Sequence, residues 1–244
     1  MGLQVLAFIE DKLRRFLQKN AVIRVLVLGD SHVRVFEHPL FLFAMPRIFF
    51  DIAYVPGGTA YGIHNRKSIS QTRNKFEVAL LNRNYDFVII CLGEVDSAYL
   101  VWKRSMKSGM DVDRILSQCI ENYCNYIKEI ASDRSLVVLS APLPTLPDQT
   151  LIQDLDTIVR ASVDVSQNER TNLTLKFNRE VEYFCVANGI PYMSGDKKAL
   201  GENGLVRSDW VNADRIDHHY ARYPYAKWLV SQLRGFRHPN GLQL

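Results

Sequence analysis

The sequence predicts an open α/β fold, a five-stranded, mostly parallel sheet with helices on both faces. Two observations carry this reading. Short apolar runs recur at Val22–Leu28, Phe49–Val55, Phe87–Leu92, Leu136–Ala141 and, more briefly, Ile190–Met193. Between them lie stretches with helical periodicity, at Lys67–Leu81, Asp111–Ser132, Ser166–Asn188 and Tyr223–Leu233. Continuous apolar runs suit strands buried on both faces, and strand–helix alternation is the pattern of parallel crossover units.

The 244 residues suit one domain, spanning residues 21–236. Before it, residues 1–20 hold an amphipathic helix, in which Leu6, Ile9, Leu13, Phe16 and Leu17 line one face and Lys12, Arg14, Arg15 and Lys19 surround it. That stripe over residues 3–17 is expected to pack on the domain or to meet a partner or a membrane surface. Residues 237–244 read as an irregular tail.

Composition excludes several classes. The net charge is only +4 and basic residues are scattered, which argues against nucleic acid as a partner. The four cysteines, Cys91, Cys119, Cys124 and Cys185, sit in apolar surroundings and form no Cys-x-x-Cys pair. They read as buried free thiols of a reducing compartment. Acidic residues interrupt the apolar N-terminus at Glu10 and Asp11, so neither a signal peptide nor a membrane span is expected, and the location reads as cytoplasmic. His and Cys are not grouped at ligand spacing, so neither a metal nor another cofactor is expected.

The chemistry gathers at strand ends. Gly29-Asp30-Ser31-His32 follows the first strand and presents a serine hydroxyl at a helix start. After the second strand comes Val55-Pro56-Gly57-Gly58-Thr59, whose glycines allow a tight turn with exposed amides. Leu92-Gly93-Glu94-Val95-Asp96 follows the third strand, and its acids can serve as acid/base groups, as struts for neighbouring loops or as helix-start residues. Asp214-Arg215-Ile216-Asp217-His218-His219 lies just before the last helix. In a parallel sheet these segments converge on one edge, where ligands bind. A hydroxyl, free amides, carboxylates and imidazoles together are what nucleophilic acyl chemistry requires.

On these motifs the chain resembles the SGNH (GDSL) hydrolases over most of its length, from about Val22 to Leu233. The resemblance implies a flavodoxin-like three-layer α/β/α sandwich. It implies that Ser31 is the nucleophile, with oxyanion donors from Ser31 and from Gly57 or Gly58. The spacing to Tyr225-Ala226 makes His219 the counterpart of the family's base. The family acid stands three residues earlier, which here is Ile216. The acid is therefore expected to be Asp217, with His218 as the alternative base and Asp214 as the alternative acid. Where the family carries an oxyanion-hole Asn, this chain has Val95, which cannot donate a hydrogen bond. Asp30, Glu94 and Asp96 are expected to contact substrate, and Tyr99, Trp102, Lys103 and Arg104 to form an aromatic and basic rim. The implied reaction is hydrolysis of a short, acetyl-like acyl ester on a carbohydrate or other small molecule. An O-acyltransferase of polysaccharide biosynthesis and a non-catalytic binding domain are the alternatives.

Overall fold

We describe residues 22–81, 84–148, 165–214 and 216–244 of a computed structural model. The expected N-terminal helix lies outside them. The strands are β1 (Ile23–Gly29), β2 (Ile48–Tyr54), β3 (Phe87–Cys91), β4 (Leu136–Leu139) and β5 (Tyr192–Met193). They form one parallel sheet in the order β2-β1-β3-β4-β5, the flavodoxin-like arrangement. Gly29 pairs with Tyr54 on one side and Cys91 on the other, so the first three strands end level with one another. The turns after them therefore open onto a common edge.

The described helices are α1 (Pro39–Ala44), α2 (Thr72–Leu81), α3 (Val101–Ser108), α4 (Val112–Ala131), α5 (Gln167–Ala187), α6 (Asp196–Ala199) and α7 (Arg222–Leu233). Alternate strand residues divide the core into two layers. Val25, Val27, Ile89 and Val137 pack with Phe41 of α1 and with Ala226, Leu229 and Leu233 of α7. Leu26, Leu28, Ile90 and Val138 face the other way, onto Phe76 of α2, Tyr123 and Ile127 of α4, and Phe177 and Val181 of α5. This is the period-2 alternation of side chains applied to strands that are buried on both faces.

Local chemistry explains the best-defined boundaries. Ser166 and Glu169 form a reciprocal capping box at the start of α5. Asp111 caps α4 through the amide of Arg114. The helix expected from Lys67 begins only at Thr72, because Gln71 adopts a left-handed φ of 50°. Arg237 and Gln243 form an antiparallel bridge, and Phe236 and His238 meet the ring of Phe87 edge-on.

Candidate active site

Beyond β1 the chain enters a 3₁₀ turn at Ser31–Glu37. Gly29 is required there by close approach: a Cβ would lie 2.3 Å from Val33 Cγ1 and 2.6 Å from the Cys91 carbonyl oxygen. Asp30 caps the turn, and its Oδ1 accepts from the His32 amide at 2.9 Å and pairs with His32 Nδ1 at 3.0 Å. Ser31 occupies the first position of the turn and is partly exposed.

The segment before α7 is fixed at both ends. Val211 and Tyr220 form an antiparallel bridge, and the Ala221 amide donates to the Trp210 carbonyl at 2.8 Å. Within it, Asp217 Oδ1 accepts from the His219 amide at 2.9 Å and lies 2.5 Å from His219 Nδ1. Asn212 Nδ2 donates to the other carboxylate oxygen at 2.7 Å. Asp217 and His219 thus repeat the geometry of Asp30 and His32, an Asp-x-His unit in which one oxygen holds both the amide and the ring two residues on. Such a carboxylate fixes the tautomer with Nδ1 protonated and turns the Nε2 lone pair outward. His219 Nε2 lies 2.8 Å from Ser31 Oγ. Burial pushes the Asp217 carboxyl up, but the hydrogen bonds from the His219 ring and amide outweigh it and hold the group down at about 2. The His219 and Asp217 side chains are 29% and 37% exposed, so the relay opens to solvent.

The loop after β4 anchors this segment. The Leu143 amide donates to Tyr220 Oη at 2.6 Å, and Thr145 Oγ1 donates to the His218 carbonyl at 2.8 Å. Helix α5 holds the loop in turn, through Gln167 Nε2 to the Pro144 carbonyl and Arg170 Nη2 to the Leu146 carbonyl. This loop, stiffened by Pro142, Pro144 and Pro147, is thereby a brace for the histidines.

Several expectations need correction. Asp30, Glu94 and Asp96 are 0–1% exposed and cannot touch substrate. Asp96 is a strut, its two oxygens accepting from the Ala60 and Tyr61 amides at 2.7 and 2.9 Å. Burial nevertheless raises its pKa to about 6. The Gly58 amide donates to the Val55 carbonyl at 2.9 Å, closing a turn with Pro56 second and Gly57, at φ 64°, third. Gly58 is therefore spent, while a Cβ on Gly57 would meet open space. Asp214 Oδ1 caps the Ile216 amide at 3.2 Å and serves its own turn. Hydrogen-bond contact with Ser31 runs through the second histidine, His219, rather than His218. The aromatic rim is engaged internally: Trp102 Nε1 donates to the Ser97 carbonyl, Lys103 lies over Tyr99, and Arg104 lies 3.9 Å over Tyr61. Val95 is buried at 8% exposure, in a helical conformation just before the π-turn Asp96–Leu100.

Sequence reasoning missed His32, Asn212, Thr145 and Tyr220. The repeated Asp-x-His spelling was the available signal for His32. The others are set by tertiary contacts that spacing does not reveal.

No family profile matches the chain, and no curated protein matches it. Solved structures do. An acetyl xylan esterase, AlAXEase, superposes with a TM-score of 0.54 at 13% identity over 86% of this chain and 97% of its own. A GDSL-like lipase from Bacteroides thetaiotaomicron gives 0.55 at 16% identity, covering 91% and 97%. The aryl esterase of M. smegmatis gives 0.55 at 13% identity, covering 87% and 99%. At such identities the likeness is one of fold, and the chain has the SGNH (GDSL) hydrolase fold.

Proposed function

We propose that this chain is a serine ester hydrolase in which Ser31 is the nucleophile, His219 the general base and Asp217 the group that orients and charges the base. The observation that carries the reading is the unbroken relay from Ser31 Oγ through His219 to Asp217, at 2.8 and 2.5 Å. His219 Nε2 takes the serine proton as Oγ attacks the ester carbonyl, and the imidazolium formed is stabilised by Asp217. The imidazolium then returns that proton to the departing alkoxide. Water, activated by the same nitrogen, releases the acyl group from Ser31.

In this reading the oxyanion is held by backbone amides, those of Ser31 and of Gly57, since the Gly58 amide is taken by the Val55 carbonyl. Val95 supplies no side-chain donor, and losing one such donor costs roughly 10²–10³ in rate in other acyl-transfer sites. A modest turnover number follows. The substrate class is a short acyl ester of a carbohydrate or similarly small alcohol, supported by the likeness to an acetyl xylan esterase. Trp102, Lys103 and Arg104 contact Ser97, Tyr99 and Tyr61 within the domain, and the reading gives them no role.

The test is turnover of chromogenic esters from acetyl to long-chain acyl, by wild type and Ser31→Ala. The reading predicts that the acetyl ester is preferred and that the variant loses at least about 10³-fold in kcat. A Ser31 adduct with a fluorophosphonate but no ester turnover would move the assignment to acyl transfer onto another hydroxyl. Neither signal in folded protein would leave a binding domain.

A further inference from the structure

The histidine of the relay, His219, belongs to a cluster of three. One ring nitrogen from each of His32, His218 and His219 lies within 4.8 Å of the others. The rings pack with centroids 4.0 Å apart for His218 and His219, 4.7 Å for His32 and His219, and 5.4 Å for His32 and His218. Two of them are oriented by carboxylates at Nδ1, His32 by Asp30 and His219 by Asp217. An aspartate behind an imidazole is the outer shell that metal-binding histidines use: it fixes the ring and raises its basicity. The backbone of the third, His218, is held by Thr145. A second group, formed by Asp30, His32 and Glu94, likewise has its donor atoms within 4.8 Å of one another. It places two buried carboxyls behind His32, and any negative charge there favours a cation in front.

We infer that His32, His218 and His219 form a site for one divalent ion of the zinc class, which shuts the ester-hydrolase site by taking the base away from Ser31. Zinc–nitrogen bonds of about 2.0–2.1 Å ask for ligand nitrogens roughly 3.4 Å apart. The ligand nitrogens, within 4.8 Å of one another, have to close toward that spacing as the ion binds. Neutral imidazoles suit zinc, cobalt, nickel or copper, and not magnesium or calcium. His32 forms the inner wall at 5% exposure, while His218 and His219 lie on the open side, so the ion enters from the substrate side. Once bound, the ion occupies the Nε2 lone pair that accepts the Ser31 proton. Ion binding stands on the histidines alone, whereas inhibition rests on the proposed role of Ser31. Sequence spacing gave no hint of the site, because His32 and the histidine pair belong to opposite ends of the domain.

The experiment is titration of the tag-free full chain with Co²⁺, followed by visible absorption, and with Zn²⁺, followed by calorimetry. One ion per chain is expected, with the intense visible bands of low-coordinate cobalt. Ser31→Ala should keep this binding, whereas His32→Ala and His218→Ala should each weaken it by at least about 10-fold. His218 is only half-buried, so its variant keeps the test open should His32→Ala fail to fold. Zinc should also slow fluorophosphonate labelling of wild-type Ser31 at least about 10-fold, reversibly with a chelator. Absent cobalt bands, or bands undiminished in both histidine variants, would overturn the site. Bands without any Ser31 labelling, with or without zinc, would uphold the site and overturn the hydrolase reading.

Discussion

Ser31, His219 and Asp217 meet in hydrogen-bond contact although the acid sits one residue closer to the base than in the family pattern. The Asp-x-His turn absorbs the difference, because one Asp217 oxygen takes both the amide and the ring of His219. Replacing Asp217 by Asn swaps that acceptor for an amide and lets the other tautomer compete. Asp217→Asn should lower kcat by about 10³–10⁴ while labelling of Ser31 slows and the fold persists. The His219 bonds hold the Asp217 carboxyl at about 2, below the usual value of about 3.9 for an unfolded chain. Its contribution to stability is therefore present above pH 4 and is lost as pH falls from about 4 through about 2. Wild type should lose stability across that acid window, and Asp217→Asn should lose less, as thermal melts at stepped pH will show. Val95 gives the converse test. In Val95→Asn a donor returns to the position that the family uses, and kcat for the acetyl ester should rise roughly 10-fold or more, while the melting temperature falls because an amide replaces a buried valine.

At the scale of elements, the turns matter more than the helices that follow them. Gly29 packs against Val33 and the β3 carbonyl with no room for a methyl group. Gly29→Ala should destabilise the domain by more than about 2 kcal/mol, measured as the shift in denaturant midpoint. The strands and long helices were legible because burial on both sheet faces writes itself as apolar runs, and because capping residues such as Ser166 and Asp111 mark ends. The short turn helices were not. The 3₁₀ turns and the π-turn at Asp96–Leu100 carry no periodic stripe, and tertiary bonds such as Asp96 to the Ala60 and Tyr61 amides fix them. For the same reason three acids that read as substrate contacts are internal.

Across the whole molecule, the site is assembled from the ends of the sequence. Ser31 and His219 stand 188 residues apart, and the parallel sheet brings β1 and the approach to α7 to one edge. The order of motifs was enough to foresee that convergence, since a parallel sheet allows the turns after its strands few other destinations. The bracing of the histidines by the proline loop and α5 was not foreseeable, because Leu143–Tyr220 and Thr145–His218 are contacts between segments with no shared pattern. The two core layers enclose all four cysteines, and burial pushes Cys124 and Cys185 up to about 12. A thiol reagent should therefore find none of the four in the native protein within minutes and all four after denaturation.

The account turns on Ser31 being activated by His219. The most direct measurement is intact-protein and peptide mass spectrometry after fluorophosphonate treatment of wild type, Ser31→Ala and His219→Ala. A single adduct on Ser31, absent in the first variant and at least about 10³-fold slower in the second, is the predicted result. An adduct on another residue, or labelling of Ser31 that ignores the loss of His219, would contradict it.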